Sequence, residues 1–244
     1  MADFRSKYIG DADFYRKILK LVLPMILQAA ITNFVSLLDN IMVGQTGTAQ
    51  MNGVSIANQF IFVFNLSVFG AVSGPGIFGA QFFGKRDFEG QKYTVRFRLA
   101  ISVILSVLAA FILMIWGDGL IMLYISKEDA LSSINATLGH GRDYLGIMLF
   151  SLLPFAIGQA YSSVIRECGE TTVPMVASFV AVGINLILDY GLIFGRLGMP
   201  ELGVRGAAIA TVIAKLIEAV LMIAWAHTHP DKNRYIKGLL KSPY

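Results

Sequence analysis

Four ionisable side chains lie inside long apolar segments of this sequence. They are Asp39 in LLDNIMVG, Asp189 in INLILDYG, and Lys215 with Glu218 in the last apolar segment. An ionisable group at the depth of a lipid bilayer costs about 2.5–3.5 kcal/mol on insertion scales. Because of this cost, each of the four indicates either a function or a specific partner.

Asp39 and Asp189 are candidates for ion chemistry. Neither has a Lys or Arg nearby in its own apolar segment that could neutralise it. A buried carboxyl group without a counter-ion can exchange a proton, or it can bind a hard cation together with neutral oxygen ligands. We therefore expect this pair to bind and release H⁺ or Na⁺.

Helical spacing places each acid in a polar stripe on one face of its segment. The stripes are Gln28, Thr32, Ser36 and Asp39 in the first segment, Asn185 and Asp189 in the fifth, and Thr211, Lys215 and Glu218 in the sixth. Such stripes are expected to face protein or water and not lipid. An alternative stays open, in which the neutral groups only hydrogen-bond between helices and Lys215 forms a structural ion pair with Glu218.

The composition is that of a membrane protein. Of the 244 residues, 55% are hydrophobic and 15% are charged, whereas soluble domains carry about 25% charged residues. The mean hydropathy is +0.64. The apolar runs are long and continuous, which excludes a barrel of short alternating strands. The fold class is therefore predicted to be all-α and integral to the membrane.

Six apolar segments are long enough to cross a bilayer as helices. Their predicted bounds are about 17–43, 53–82, 94–116, 143–164, 172–194 and 205–227.

Pro24 is expected to bend the first helix, and the short segment Leu120–Ile125 is expected to lie at the membrane interface. Gly70 and Gly74 form a GxxxG pair, which is typical of close helix packing; a flexible helix is the alternative.

Basic residues predict the orientation of the chain in the membrane. Fifteen of the twenty Lys and Arg residues lie in the tails and the even-numbered connections, four lie in the odd-numbered connections, and Lys215 lies within the sixth helix. Both termini are therefore expected on the cytoplasmic side of a cell membrane. Since the basic residues behind the net charge of +4 flank apolar segments, no nucleic-acid partner is expected.

Several short motifs follow one another along the chain. They are LPMILQ (23–28), LLDNIMVG (37–44), GAQFFGKRD (79–87), RECGETTVPM (166–175), INLILDYGLIFG (184–195) and GAAIAT (206–211). In this order and spacing they resemble the MATE family, the multidrug and toxic compound extrusion transporters. The resemblance covers nearly the whole chain.

The resemblance implies a fold and a partner. Members of the family have twelve transmembrane helices in two six-helix lobes, and drug binds in a cleft near the axis that relates the lobes. Residues 1–244 resemble the N-terminal lobe, and residues 228–244 resemble the cytoplasmic linker to the second lobe. Two explanations stay open: a fragment whose partner is the C-terminal lobe, or a half-transporter that works as a parallel homodimer.

The resemblance also implies a function and its residues. The function is cation-coupled antiport, with H⁺ or Na⁺ as the coupling ion and no other cofactor, which exports amphipathic or cationic organic molecules. The implied cation site, which could hold Na⁺, comprises Asp39, Asn185, Asp189 and Thr211, with Tyr144 as a further candidate. Candidate substrate-cleft residues, for which helix packing is the alternative, are Gln28, Thr32, Gln59, Asn65 and Gln159. Pro24 would be the hinge of the moving first helix.

Three other functions fit the sequence less well. A lipid-linked saccharide flippase of the same superfamily would need cationic groups for phosphates, and Lys215 is the only basic residue near mid-membrane. An intramembrane aspartyl protease would use Asp39 and Asp189, but the GxGD motif expected around the second aspartate is absent. A non-transporting scaffold leaves the unpaired acids unexplained. The chain has no Walker A, HExxH or GxSxG motif, and we expect no enzyme activity.

Overall fold

The computed structural model describes residues 10–125 and 131–239. In these residues the secondary structure consists of six long α-helices and one short 3₁₀ turn, with no β-strand. The elements are α1 (Ala12–Gly44), α2 (Thr48–Gly84), α3 (Phe88–Tyr124), α4 (Leu131–Glu167), α5 (Thr172–Phe194), α6 (Val204–Thr228) and the turn Arg234–Ile236. All six helices are long and apolar enough to cross a membrane. The predicted all-α fold with six membrane-spanning helices is confirmed.

Most helices are longer than predicted. The bounds of α5 are as predicted, whereas α3 and α4 have 37 residues each, or about 55 Å at 1.5 Å per residue. The segment Leu120–Ile125 is not separate from the third helix, because Leu120–Tyr124 belongs to α3; its position at the membrane interface stays a prediction. Ile121 is fully buried in the main hydrophobic core, and Asp118 nearby pairs with Arg142 of α4. These contacts hold the last turns of α3 against the bundle.

The orientation in the membrane stays a prediction. Four of the basic residues on which it rests lie outside the described residues: Arg5, Lys7, Lys127 and Lys241.

Local sequence signals start and end several helices. Asp11 and Asp87 precede α1 and α3, and their carboxylates accept hydrogen bonds from the backbone N–H of Phe14 (2.8 Å) and of Gly90 (2.9 Å). Such N-caps satisfy amide groups that have no partner within the helix. Gly195 ends α5 in the left-handed conformation, with a φ of 64°, which glycine adopts without strain.

The central helix of the bundle is α4, which packs against α2, α3 and α6. Helix α6 also packs on α5, which in turn contacts α1. The α2–α4 contact is close because Gly53 has no side chain: a Cβ there would lie 2.7 Å from backbone atoms of Thr137 and Gly141. In α1 only Val35 and Val43 are buried. Most of its surface is therefore free for lipid or for a further packing partner.

The Gly70–Gly74 pair of α2 faces away from the other helices. A Cβ at either position would meet no atom within 4 Å, so the close-packing interpretation is wrong within the described residues, and the flexible-helix alternative stays a prediction. Gly76 and Gly79, later in the same helix, do face neighbours: Cβ atoms there would lie 3.0 Å and 2.5 Å from the Glu167 carboxylate. Gly74, Gly76 and Gly79 have the spacing of a GxGxxG dinucleotide fingerprint, but they lie inside α2 and not in a strand–turn–helix unit.

A buried ion pair ties α3 to the end of α4. The guanidinium of Arg98 donates to both carboxylate oxygens of Glu167, at 2.8 Å and 2.9 Å, and Arg98 is fully buried. Close by, Arg96 donates to the carbonyl oxygens of Gly238 and Leu239, at 3.0 Å and 2.8 Å. The described part of the predicted linker is therefore packed against this end of α3.

Candidate cation site and the neighbouring ion-pair cavity

The larger of two neighbouring cavities, about 540 Å³, is bounded by α1, α2, α4, α5 and α6. Four of the five predicted cation-site residues line it: Asp39, Tyr144, Asp189 and Thr211. It is called the carboxylate cavity here, because Asp39 of α1 and Asp189 of α5 both face it. The fifth predicted residue, Asn185, is buried on α5 but is not among the lining residues.

The two acids of the carboxylate cavity lie side by side at the α1–α5 contact. Asp189 is only 1% exposed. Among the described residues, no donor bonds to Oδ1 of Asp39 or to either carboxylate oxygen of Asp189. Buried polar atoms are normally hydrogen-bonded, and a purely structural role between helices would need the partners that these oxygens lack. The oxygens are therefore available to a proton or a cation.

Neutral oxygens complete the lining around the acids. The Tyr144 hydroxyl donates to Oδ1 of Asn58 at 3.1 Å, and Oγ1 of Thr211 donates to the carbonyl of Ala207 at 3.0 Å. Both hydroxyl oxygens keep lone pairs that can bind a cation. The described residues contain no cluster of three or more His, Cys, Asp or Glu side chains that could hold a metal ion. A hard cation such as Na⁺ would therefore use the two carboxylates together with these neutral oxygens.

Asn58 is a lining residue that the sequence reasoning missed. It faces the carboxylate cavity together with Gln59 and Asn65 of the same helix. The spacing in the sequence could have identified it, because Asn58 and Asn65 are two helical turns apart and so share a helix face. Gln59 and Asn65 are two of the five predicted substrate-cleft residues.

The smaller cavity, about 340 Å³, lies between α1, α4, α5 and α6. It is called the ion-pair cavity here, because Lys215 and Glu218 of α6 line it. The other three predicted substrate-cleft residues also line it: Gln28, Thr32 and Gln159. The predicted cleft is thus divided between two cavities. Pro24 lies within the unbroken helix α1 and lines neither cavity, so its role as a hinge stays a prediction.

A chain of hydrogen bonds runs along one wall of the ion-pair cavity. Nζ of Lys215 donates to Oε2 of Glu218 at 3.0 Å, which confirms that the two residues pair, and the Ser178 hydroxyl donates to Oε1 of Glu218. Nε2 of Gln28 donates to Oγ of Ser178 at 2.6 Å, and Nη2 of Arg166 donates to Oε1 of Gln28 at 3.1 Å. Both oxygens of Glu218 are thus satisfied, unlike those of Asp189.

Sequence spacing gives no sign that Arg166 and Ser178 belong to this network. Their partners are 138 and 40 residues away along the chain. In the sequence, Arg166 counts only among the basic residues that predict orientation. Its position in the cavity depends on how α1 and α4 come together.

Two residues line both cavities: Lys215 and Phe155. Nζ of Lys215 is 5.6 Å from the centroid of the Phe155 ring, which is within the range of a cation–π contact. The side chain of Lys215 is 30% exposed. These two side chains lie between the carboxylate cavity and the ion-pair cavity.

The chain matches known proteins over most of its length. The MatE family model matches residues 24–191. A probable multidrug resistance protein NorM of Pasteurella multocida is 30% identical over 231 residues, which are 93% of this chain and 48% of that protein. The corresponding NorM of Thermotoga maritima is 28% identical over 210 residues, which are 85% of this chain and 43% of that protein. The chain spans about half the length of these curated relatives.

Solved structures share the fold of the bundle. An outward-facing multidrug resistance MATE family transporter of the MOP superfamily gives a TM-score of 0.79 at 21% identity, over 93% of this chain and 48% of that one. A MATE in its bent conformation gives 0.76 at 21% identity, over 89% and 46%. Since the family model covers more than half of the residues and the helices have the same arrangement, this chain belongs to the MatE family, as one six-helix lobe of its twelve-helix transporter fold.

Proposed function

We propose that this lobe is part of a cation-coupled antiporter that exports small amphipathic or cationic organic molecules. The observation that carries the proposal is the pair of adjacent acids in a membrane-spanning bundle, buried Asp189 and half-buried Asp39. Both carboxylate oxygens of Asp189 and Oδ1 of Asp39 lack donors among the described residues. The curated relatives are named as probable multidrug resistance proteins, which supports drug-like substrates.

The coupling ion in this proposal is H⁺ or Na⁺. Two adjacent carboxylates in a site of low dielectric repel each other strongly when both are charged. One shared proton removes this repulsion, and so does a Na⁺ ion that also takes the hydroxyl oxygens of Tyr144 and Thr211. Ion binding therefore changes the charge at the α1–α5 contact.

Helix α1 is the element that such a change would move. Asp39 lies on it, and only Val35 and Val43 of this helix are buried. Pro24 interrupts its backbone hydrogen bonds and offers a point at which it can bend. Antiport follows if the ion and the organic substrate each bind better to a different position of α1, because coupling requires a difference in affinity between two states.

The functional unit of the proposal has two lobes in a cell membrane, with both termini of this chain in the cytoplasm. The excess of basic residues in the tails and even-numbered connections supports this orientation. The sparse burial of α1 supports a further packing partner. That partner is a second six-helix lobe or a second copy of this chain in a parallel dimer.

Transport in everted membrane vesicles that contain the 244-residue chain tests the proposal. The measurement is uptake of ethidium, a fluorescent organic cation, under an imposed Na⁺ or pH gradient. We expect Asp39→Asn and Asp189→Asn to abolish gradient-dependent uptake. Asp118→Asn is the matched control, because it replaces a carboxylate outside both cavities. Gradient-dependent uptake that persists in both cavity variants would contradict the proposal.

Ion binding by the purified chain in detergent gives a measurement that does not require a second lobe. A ligand that binds only the folded state stabilises it, by about 2.7 kcal/mol at one hundred times its Kd. We expect Na⁺ or added protons to raise the unfolding temperature of the wild-type chain and of Asp118→Asn, but not of Asp189→Asn. A wild-type unfolding temperature that responds to neither ion would argue against the site.

A further inference from the structure

Lys215 is the one charged side chain, among the described residues, that lines both cavities. Its ammonium group donates to Glu218 on one side. On its other side is the carboxylate cavity with Asp39 and Asp189. The family resemblance assigns no role to Lys215 or Glu218, and the proposed cation site does not use them.

The charged and titratable groups that line the two cavities come from four helices. They are Asp39 of α1, Tyr144 and Arg166 of α4, Asp189 of α5, and Lys215 and Glu218 of α6. The two acids of the carboxylate cavity have oxygens without donors, whereas Glu218 is bonded by both Lys215 and Ser178. Lys215 therefore bonds to a satisfied carboxylate while its side chain also lines the cavity of two acids that have oxygens without donors.

The Lys215 side chain can reorient between these partners. A lysine ammonium is a compact charge on a flexible four-carbon stem, and this one is 30% exposed beside a cavity of about 540 Å³. When the carboxylate cavity holds no ion, two adjacent negative charges attract the ammonium more strongly than the single charge of Glu218 does. When an ion is bound there, that attraction is lost and Glu218 is the better partner.

We propose that Lys215 is a tethered cation that competes with the coupling ion for Asp39 and Asp189, and that Glu218 holds it away while the ion is bound. This inference rests on the proposed function. It also assigns a substrate contact: when Lys215 turns to the acids, the freed oxygen of Glu218 accepts the positive group of an organic cation. Substrate at Glu218 and ion at the acids then exclude each other through one side chain.

The test is the half-saturating concentration of the coupling ion, measured from the unfolding temperature of the purified 244-residue chain. Removing the competitor with Lys215→Gln should lower this concentration by about tenfold or more, because a tenfold change needs only about 1.4 kcal/mol. Glu218→Gln should raise it by a similar factor, because Lys215 then loses its alternative partner. The double variant should behave like Lys215→Gln.

Ethidium fluorescence on the same protein tests the substrate contact. In the wild-type chain, saturating ion should weaken ethidium binding by about tenfold, and in Lys215→Gln this effect should disappear. Glu218→Gln should weaken ethidium binding with or without ion. Ethidium binding that ion weakens equally in wild type and in Lys215→Gln would overturn the role of Lys215.

A purely structural ion pair would give a different pattern. Fixed charges would also shift the half-saturating concentration in opposite directions in the two single variants, but their effects would cancel, and the double variant would keep the wild-type value. If the single variants do not fold, Lys215→Met combined with Glu218→Leu removes both charges while it keeps the side-chain volume, a replacement that buried ion pairs often tolerate. If Lys215 competes with the ion, this variant should bind the ion about tenfold more tightly, and if the pair is only structural, ion binding should not change.

The Asp39→Asn variant separates the two proposals. An ion response that survives Asp39→Asn and Asp189→Asn contradicts the cation site itself, and the role of Lys215 falls with it. An ion response that these variants abolish, together with a wild-type half-saturating concentration in the double variant of Lys215 and Glu218, contradicts only the tethered cation.

Discussion

The carboxylate cavity and the ion-pair cavity are lined by α1, α4, α5 and α6 in common, and they share the side chain of Lys215. Their acids have opposite surroundings. Asp189 is buried with no donor to either oxygen among the described residues, while Glu218 accepts from both Lys215 and Ser178. A carboxylate whose bonds are complete stabilises the fold, and one whose bonds are missing is available to a ligand. The same change from carboxylate to amide should therefore have opposite consequences in the two cavities.

The largest effect is expected from Asp189→Asn in the carboxylate cavity. We expect gradient-dependent dye uptake to fall by about 100-fold or more, which abolishes it in the vesicle assay. The unfolding temperature without ion should stay the same or rise, because a buried charge without a partner is removed. Dye uptake and thermal unfolding on one preparation measure both quantities. A clear loss of stability would show that the acid is structural, and the contrast between the cavities would then be wrong.

Glu218→Gln in the ion-pair cavity should act on stability. It removes the charge that pairs with the Lys215 ammonium and leaves one acceptor oxygen for both Lys215 and Ser178, and we expect a loss of about 2–3 kcal/mol in the free energy of unfolding. This is less than for a fully buried pair, because Lys215 is 30% and Glu218 16% exposed. Thermal unfolding in detergent measures the loss, with Glu89→Gln as the control, because Glu89 is an exposed carboxylate that pairs with Lys92. Equal effects of the two substitutions would contradict the prediction.

Gly53→Ala should disturb the carboxylate cavity selectively, because α2 lines that cavity but not the other. The new Cβ would lie 2.7 Å from backbone atoms of α4, and we expect a loss of about 1–2 kcal/mol. Gly74→Ala is the matched control in the same helix, because its Cβ meets no atom within 4 Å. It should be neutral or stabilise by up to about 1 kcal/mol. Similar unfolding temperatures for both variants would show that the α2–α4 contact can widen.

The smallest effect is expected from Tyr144→Phe. This change removes the hydrogen bond to Asn58 and should reduce stability by about 0.5–1.5 kcal/mol. If the hydroxyl is also an ion ligand, the half-saturating ion concentration should rise by a few-fold, which is far less than the effect of removing an acid. An ion response identical to that of wild type would reduce the site to the carboxylates and Thr211.

Sequence reasoning succeeds in this protein where the signal is local. The apolar runs predict six helices because a spanning helix satisfies its own backbone hydrogen bonds in lipid. The pairing of Lys215 with Glu218 follows from their spacing of three residues, which places them on one helix face. Asp39 and Asp189 stand out because a charged group in an apolar segment needs a reason. The ordered motifs lead to the family, which the family model and the curated relatives show.

Tertiary structure decides which of these groups meet. The helical stripe from Gln28 to Asp39 looks uniform in the sequence, but Gln28 faces the ion-pair cavity and Asp39 the carboxylate cavity. The small residues of α2 look alike as well, yet Gly53 contacts α4 closely while Gly70 and Gly74 face outward. Periodicity determines a shared face, whereas the neighbour on that face depends on how the helices pack.

The sequence by itself thus determined the membrane-spanning helices, the acids within apolar segments and the Lys215–Glu218 pair, since each depends on residues within a few turns of one another. Only the tertiary structure brought Asp39 next to Asp189, joined Arg166 to Gln28, and placed Lys215 between two cavities. The physical reason is that these contacts join residues far apart in the chain. They form only when α1, α4, α5 and α6 pack together, and no spacing along a single helix encodes that packing.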